Sequence, residues 1–191
     1  LIKSLMEHTA GRMGVVCPTF EEYPNRRPAG MLEVFTPEND DFAYTADDLM
    51  DFFASRPVDT LLLVNPDNPS GNFIARADVL RLAAWCGERG TRLVVDESFV
   101  DFSTGYASNS LLSDDVLEAH PRMVVMKSIS KSFGVPGLRL GLLASADTEL
   151  IGKVKKDIAI WNINSFAEFY MQIYSKYEAD YHLACEKFQD E

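Results

Sequence analysis

Short runs of consecutive apolar residues alternate along this chain with stretches whose apolar residues have helical spacing. The apolar runs predict strands at 13–17, 31–35, 60–65, 91–96, 122–127 and 138–144. The intervening patterns predict a short helix from residue 19 and helices at 45–54, 76–88 and 113–118, with further helices at both ends. Thr45, followed by Asp48 three residues later, has the form of a helix N-cap.

These strands are apolar throughout, which is typical of strands buried on both faces. Their alternation with helices indicates a mainly parallel sheet with helices on both faces, a doubly wound α/β fold. At 191 residues the chain is long enough for one domain with a substantial core. We therefore expect one domain over 1–191. Because it begins with Leu1 and stops inside a predicted helix, we expect it to be truncated at both ends relative to the natural protein.

Composition and charge exclude several classes of function. Lys and Arg number 18 against 29 Asp and Glu, a formal net charge of −11, and no basic stripe is present, so no nucleic acid partner is expected. No apolar run is long enough to cross a bilayer and no signal peptide is visible, so no membrane partner is expected. The three cysteines show no metal-ligand spacing, which favours reduced thiols in a cytoplasmic protein without a metal site.

Polar residues follow three of the apolar runs directly, at 65–71, 96–99 and 128–131. Ligands of doubly wound sheets bind outside the carboxyl ends of the strands, so these three segments are candidates for one site. Asp96 ends a buried strand, and a partly buried carboxylate requires a cation or strong hydrogen-bond donors. Asn68 lies in a loop stiffened by two prolines.

The third segment adds an amine and an anion-binding group to this site. Lys131 carries a primary amine that can form an imine. A guanidinium group and hydroxyl groups are good ligands for a phosphate. Arg139, Ser128 and Ser130 can supply these groups. One ligand would use all of these groups at once: a phosphorylated, protonated heteroaromatic aldehyde. Pyridoxal 5′-phosphate fits that description.

The same segments resemble the motifs of the fold type I, class I/II pyridoxal-phosphate-dependent aminotransferases. The similarity is to the branch that contains histidinol-phosphate aminotransferase and threonine-phosphate decarboxylase. N-P-x-N-P-[ST]-G matches residues 65–71, D-E-x-[YF] matches 96–99, S-x-S-K-x-[FY]-x-x-x-G-x-R-x-G matches 128–141, and P-T-[YF] matches 18–20. The motifs occur in the family's order and span nearly the whole chain, which makes the resemblance far more specific than any one of them.

The resemblance implies a role for each matching residue. Lys131 would form the imine with the cofactor and later move the proton at the substrate Cα. Asp96 would pair with the pyridinium nitrogen, and Asn68 would donate to the phenolic oxygen of the ring. Phe20 would stack on the ring face, and Phe99 would also belong to the cofactor-binding residues. The phosphate would be held by Ser128, Ser130 and Arg139.

Each residue also has a simpler explanation when it is taken alone. Asp96 is a possible cap, and Asn68 is a possible turn former. A phenylalanine in the position of Phe20 is often part of a core. Ser128 or Ser130 can cap a turn.

The matching segments leave three functions open. The favoured one is an aminotransferase that moves an amino group between an amino acid or amine and a 2-oxo acid. The second is a phosphoamino-acid decarboxylase of the same fold. It is suggested by Phe99, which stands where many relatives carry a tyrosine and cannot donate to the phenolic oxygen. The third is a cofactor-binding sensor domain of a regulator.

The resemblance also implies what surrounds this chain. The family's glycine-rich phosphate loop would precede Leu1, and a small domain with an arginine for the substrate carboxylate would follow Glu191. The expected partners are a small-molecule amino acid or phosphorylated amine and a second copy in a homodimer. We therefore expect the isolated chain to be incomplete and inactive.

Overall fold

The computed structural model of the protein describes residues 1–190. Within this range one sheet contains the strands β1 (Met13–Val16), β2 (Leu32–Phe35), β3 (Thr60–Val64), β4 (Arg92–Asp96), β5 (Met123–Ser128) and β6 (Gly141–Ala144). The helices are α1 (Ile2–His8), α2 (Ala46–Ala54), α3 (Arg76–Glu88), α4 (Asp114–Ala119), α5 (Ile129–Ser132), α6 (Thr148–Asp157), α7 (Ser165–Ile173) and α8 (Glu178–Asp190).

The spatial order of the strands is β2-β1-β3-β4-β5-β6. The first five strands pair in parallel, and β6 pairs antiparallel with β5. The predicted doubly wound, mainly parallel α/β fold is confirmed. Since the chain passes from β1 outward to β2 and then back to β3, the sheet has a topological switch point between β1 and β3.

The sheet is buried on both faces because alternate residues of each strand point to opposite sides. On one face Leu61 and Leu63 of β3 belong to the same core cluster as Leu49 of α2 and Leu82 of α3. On the other face, neighbouring β3 residues pack in a second cluster with side chains of α1 and α6. This arrangement explains why the strand sequences are apolar at nearly every position.

Two helices lie where the sequence predicts them. Thr45 caps α2 by accepting a hydrogen bond from the Asp48 amide, and the Asp48 carboxylate accepts one from the Thr45 amide in return. Helix α3 has the predicted bounds, Arg76–Glu88.

Other boundaries differ from the prediction for local reasons. The last predicted strand begins only at Gly141, because Pro136–Leu138 forms a 3₁₀ turn and Arg139 adopts the left-handed conformation with φ of 57°. The helix predicted from residue 19 is reduced to a 3₁₀ turn at Pro24–Arg26, where the proline supplies no amide donor to continue a helix. Among residues 1–190, no helix has both the length and the apolar character needed to cross a membrane.

Candidate functional site

A cavity of about 600 Å³ opens at the carboxyl ends of β3, β4 and β5. Its volume is in the range of roughly 300–1,000 Å³ that small-molecule sites usually have. The structure brings all eight predicted site residues to its wall: Phe20, Asn68, Asp96, Phe99, Ser128, Ser130, Lys131 and Arg139. Their convergence is an observation, while their individual roles remain predictions.

Parallel pairing explains why residues so far apart in sequence meet here. Val64 of β3 is paired with Asp96 of β4, which in turn is paired with Met126 of β5. The three strands therefore end at the same level. The polar segments that follow them leave the sheet side by side, as the sequence predicts for a doubly wound sheet.

Asp96 is buried at the end of β4, with 8% of its surface exposed. Its Oδ2 accepts a hydrogen bond of 2.6 Å from the Tyr23 hydroxyl. Its Oδ1 accepts one of 2.9 Å from the Ser98 amide and a second from the Ser98 hydroxyl. The strong donors that a buried carboxylate requires are therefore neutral groups, and no ion pair within residues 1–190 involves Asp96.

Burial raises the pKa of the Tyr23 hydroxyl well above its ordinary value, and the charge of Asp96 and the hydrogen bond to it act in the same direction. Tyr23 is fully buried, so it stays a protonated donor throughout the physiological range. Neither Tyr23 nor Ser98 is identified by the sequence motifs. Tyr23 is 73 residues away from Asp96, and no local pattern signals that contact.

The loop that carries Asn68 is fixed by its own backbone and by Asp67. The buried Asp67 carboxylate accepts hydrogen bonds from the Asn68 amide at 2.9 Å and from the Ser70 hydroxyl at 2.7 Å. Burial raises the pKa of Asp67, and these two hydrogen bonds oppose that rise. Gly71 has φ of +77°, which suits a tight turn. Because Asp67 and Gly71 build the turn, the Asn68 side chain at the cavity wall is available to a ligand.

Lys131 lies on the short helix α5, exposed at the cavity, with its ammonium 6.0 Å from the centre of the Phe99 ring. Phe99 also lines a second, more apolar cavity of about 610 Å³, together with Phe102 and Phe188, so the two cavities share this residue. Within the described part of the chain, neither Lys131 nor Arg139 forms an ion pair. Both cations are therefore available to an anionic or carbonyl ligand.

The three proposed phosphate-binding residues are not equivalent. Ser130 is buried, and its hydroxyl donates a long hydrogen bond of 3.3 Å to the carbonyl of Leu140. Ser128 is half-buried and its backbone amide donates to the Ser98 hydroxyl at 2.8 Å. Arg139 is exposed and its guanidinium donates a long hydrogen bond of 3.4 Å to the Pro136 carbonyl. The Ser130 hydroxyl thus partly supports the turn, whereas Arg139 faces the cavity with most of its donors unused.

Phe20 lies at the cavity wall rather than in the core, with 43% of its surface exposed. Its ring meets the Tyr23 ring edge-on, with centroids 6.1 Å apart and planes at 81°. The simpler explanation of Phe20 as a core residue is therefore wrong.

A buried ion pair beside the cavity was not predicted. Lys127, which lines the cavity, places its Nζ 2.8 Å from Asp101 Oδ1, and only 11% and 10% of the two side chains are exposed. Asp101 belongs to the 3₁₀ turn after β4, so the pair ties that turn to the end of β5. Like Asp96, Lys127 ends a predicted apolar strand, and this position could have indicated that it lies at the cavity.

The family model of aminotransferase class I and II matches residues 15–178 of this chain. The chain therefore belongs to that family, whose members are pyridoxal-phosphate-dependent enzymes. The fold is likewise that of the fold type I enzymes that use this cofactor.

Three similar proteins indicate which members of the family this chain resembles. The chain is 33% identical to a CMP-5′-(3-aminopropyl)phosphonate synthase of Streptomyces rubellomurinus, over 98% of this chain and 29% of that protein. It is 32% identical to a histidinol-phosphate aminotransferase of Desulfitobacterium hafniense, over 88% of this chain and 46% of that protein. A solved structure of a decarboxylase from Sulfurospirillum multivorans superimposes with a TM-score of 0.84 at 27% identity, over 99% of this chain and 55% of that one.

Removal of the Asp101 carboxylate should destabilise the fold. The Asp101→Ala variant leaves the nearly buried Lys127 ammonium without its partner, so the free energy of unfolding should fall by about 3 kcal/mol. The Lys127→Met/Asp101→Leu double variant removes both charges and should recover most of that loss. Urea unfolding measures both effects.

The matched control is Glu149→Ala, which breaks the exposed pair of Glu149 with Lys153 and should leave the unfolding midpoint nearly unchanged. Equal unfolding midpoints for Asp101→Ala and Glu149→Ala would contradict the prediction that the Lys127–Asp101 pair stabilises the fold.

Proposed function

We propose that this chain is the cofactor-binding domain of a pyridoxal-phosphate-dependent aminotransferase, which moves an amino group between an amino acid or amine and a 2-oxo acid. The observation that carries the proposal is the meeting of Lys131, Asp96, Asn68 and Arg139 on one cavity at the carboxyl edge of the sheet. Membership of the aminotransferase class I and II family supports it.

The donor set of the cavity fits pyridoxal phosphate group by group. An unpaired primary amine suits its aldehyde, and an exposed arginine beside two serines suits its phosphate. The buried carboxylate of Asp96 suits a protonated ring nitrogen, because its neutral hydrogen-bond donors leave its negative charge uncompensated.

The residues of this chain then have definite tasks. Lys131 would hold the cofactor through Nζ and would move the proton at the substrate Cα. Asp96 would keep a proton on the ring nitrogen, and the Asn68 amide would donate to the phenolic oxygen. Phe20 would cover one face of the ring. When bound, the cofactor supplies the electron sink for the bond that breaks at Cα.

We propose that the substrate is an amino acid or a phosphorylated amine. Although the chain has a formal net charge of −11, the cavity wall carries two cations that form no ion pair within residues 1–190, Lys131 and Arg139, against one such carboxylate, Asp96. A local excess of positive charge favours an anionic ligand. Two of the relatives described above are named for reactions of a phosphate or a phosphonate, which supports the same class.

We further propose that this domain is part of a longer protein that works as a homodimer. The chain spans 29%, 46% and 55% of the three relatives described above, which supports the first part. Large apolar side chains are exposed around α7, among them Trp161, Phe166 and Phe169, and such a surface favours a protein partner. The free thiols of Cys17, Cys86 and Cys185 support a cytoplasmic location.

A phosphoamino-acid decarboxylase is the second candidate. Phe99 supports it, since this ring has no hydroxyl to assist Asn68 at the phenolic oxygen. The likeness to a solved decarboxylase supports it as well. The two candidates would share the cofactor site and differ in which bond to the substrate Cα breaks.

Borohydride reduction of the full-length protein loaded with pyridoxal phosphate should attach the cofactor permanently to Lys131, because that amine faces the cavity and forms no ion pair within residues 1–190. Peptide mass spectrometry locates the attachment. Lys131→Ala should abolish it, and the control Lys153→Ala, on the surface of α6, should retain it. Attachment at Lys127 instead, or at no lysine, would contradict the proposed site.

The type of reaction is tested by adding candidate amino acids and phosphorylated amines to the full-length enzyme without a 2-oxo acid. An aminotransferase should convert its cofactor stoichiometrically to the pyridoxamine form, which absorbance spectroscopy detects. Repeated release of carbon dioxide with the aldehyde form retained would replace the aminotransferase proposal with the decarboxylase.

A further inference from the structure

We propose that Tyr23 and Ser98 are positioning residues that aim the Asp96 carboxylate at the ring nitrogen of the cofactor and set how strongly it draws the ring proton. The inference rests on the proposed function, because it takes Asp96 as the partner of that ring.

The hydrogen bonds to Asp96 constrain its carboxylate from both sides. Tyr23 donates to Oδ2 at 2.6 Å, while the Ser98 amide and hydroxyl both donate to Oδ1. An ionised carboxylate offers about four acceptor sites, so these three bonds leave about one for a donor in the cavity. With both oxygens held, the plane of the group is fixed and the direction of that remaining site is fixed as well.

Tyr23 lies in the core, and its hydroxyl contacts Asp96 from there. None of the Tyr23 surface is exposed, and its ring packs in the core cluster formed by α1, α6 and one face of the sheet. Its hydroxyl reaches through that core to Asp96, with the Met126 sulfur 3.7 Å away as its other neighbour. The ring edge also supports Phe20, so one short segment positions both the proposed stacking ring and the carboxylate.

Ser98 links the carboxylate to the neighbouring strand. Its hydroxyl donates to Asp96 and accepts a hydrogen bond of 2.8 Å from the Ser128 amide. Linked hydrogen bonds of this kind polarise and strengthen one another. The chain from Ser128 through Ser98 to Asp96 therefore sets the carboxylate relative to the segment that carries Lys131.

The same donors stabilise the negative charge of the carboxylate without neutralising it. Without one of these donors, the Asp96 carboxylate would attract a proton on the ring nitrogen more strongly, which would leave a bound ring richer in electrons. The visible absorbance of the bound cofactor should then change with pH at a higher midpoint than in the wild type. A residue that only filled the core would not move this midpoint.

The experiment is an absorbance titration of the full-length protein loaded with pyridoxal phosphate. Tyr23→Phe should shift the midpoint upward by roughly half a pH unit or more. The matched control is Thr91→Val, which also removes a buried hydroxyl but lies just before β4, at the edge of the sheet opposite the cavity. Its midpoint should equal that of the wild type.

A second pair of variants tests the Ser98 hydroxyl without touching the core. Ser98→Ala should shift the midpoint in the same direction, and Ser98→Thr, which keeps a hydroxyl, should restore it. This pair decides the question if Tyr23→Phe does not fold.

Two failures are distinguishable. If wild-type midpoints persist in Tyr23→Phe and Ser98→Ala while the cofactor still attaches to Lys131, the inference is overturned and the proposed function stands. If the wild-type protein takes up no pyridoxal phosphate, the proposed function is overturned and this inference with it.

Discussion

The parallel pairing of β3, β4 and β5 is the constraint on which the candidate site depends. It aligns Val64, Asp96 and Met126 across the sheet, so the segments that follow these strands leave it at one edge. Packing on the two sheet faces specifies this register, since a slip by one residue would exchange the side chains that fit two different core clusters. The core therefore stabilises the fold and, through the register, also places Asn68, Asp96 and Lys131 around one cavity.

The electrostatic design of the cavity follows from how its charges are partnered. Lys127 is neutralised by Asp101, and Asp96 is held by neutral donors, while Lys131 and Arg139 are left for a ligand. A carboxylate bound only by neutral donors keeps its charge available for a cationic ring, whereas one paired with arginine would not. The cavity thus presents separate negative and positive groups, as a ligand with a protonated ring and a phosphate requires.

Much of this fold and site was predictable from the sequence, because the strands are continuous apolar runs and the site residues directly follow them. The doubly wound sheet, the bounds of α3 and the capping of α2 by Thr45 follow from local pattern alone. Tyr23 and Ser98 were missed, because a contact such as that of Tyr23 with Asp96 depends on how distant segments pack. The start of β6 was misplaced because the left-handed backbone at Arg139 is unusual for a residue other than glycine.

We propose that this cavity binds pyridoxal phosphate between Lys131 and Asp96. The most direct test is a crystal structure of the full-length protein grown with the cofactor. We expect electron density continuous from the cofactor to Lys131 Nζ, the ring nitrogen within hydrogen-bond distance of the Asp96 carboxylate, and the phosphate beside Arg139. A cofactor bound with its ring nitrogen away from Asp96, or bound outside this cavity, would contradict it.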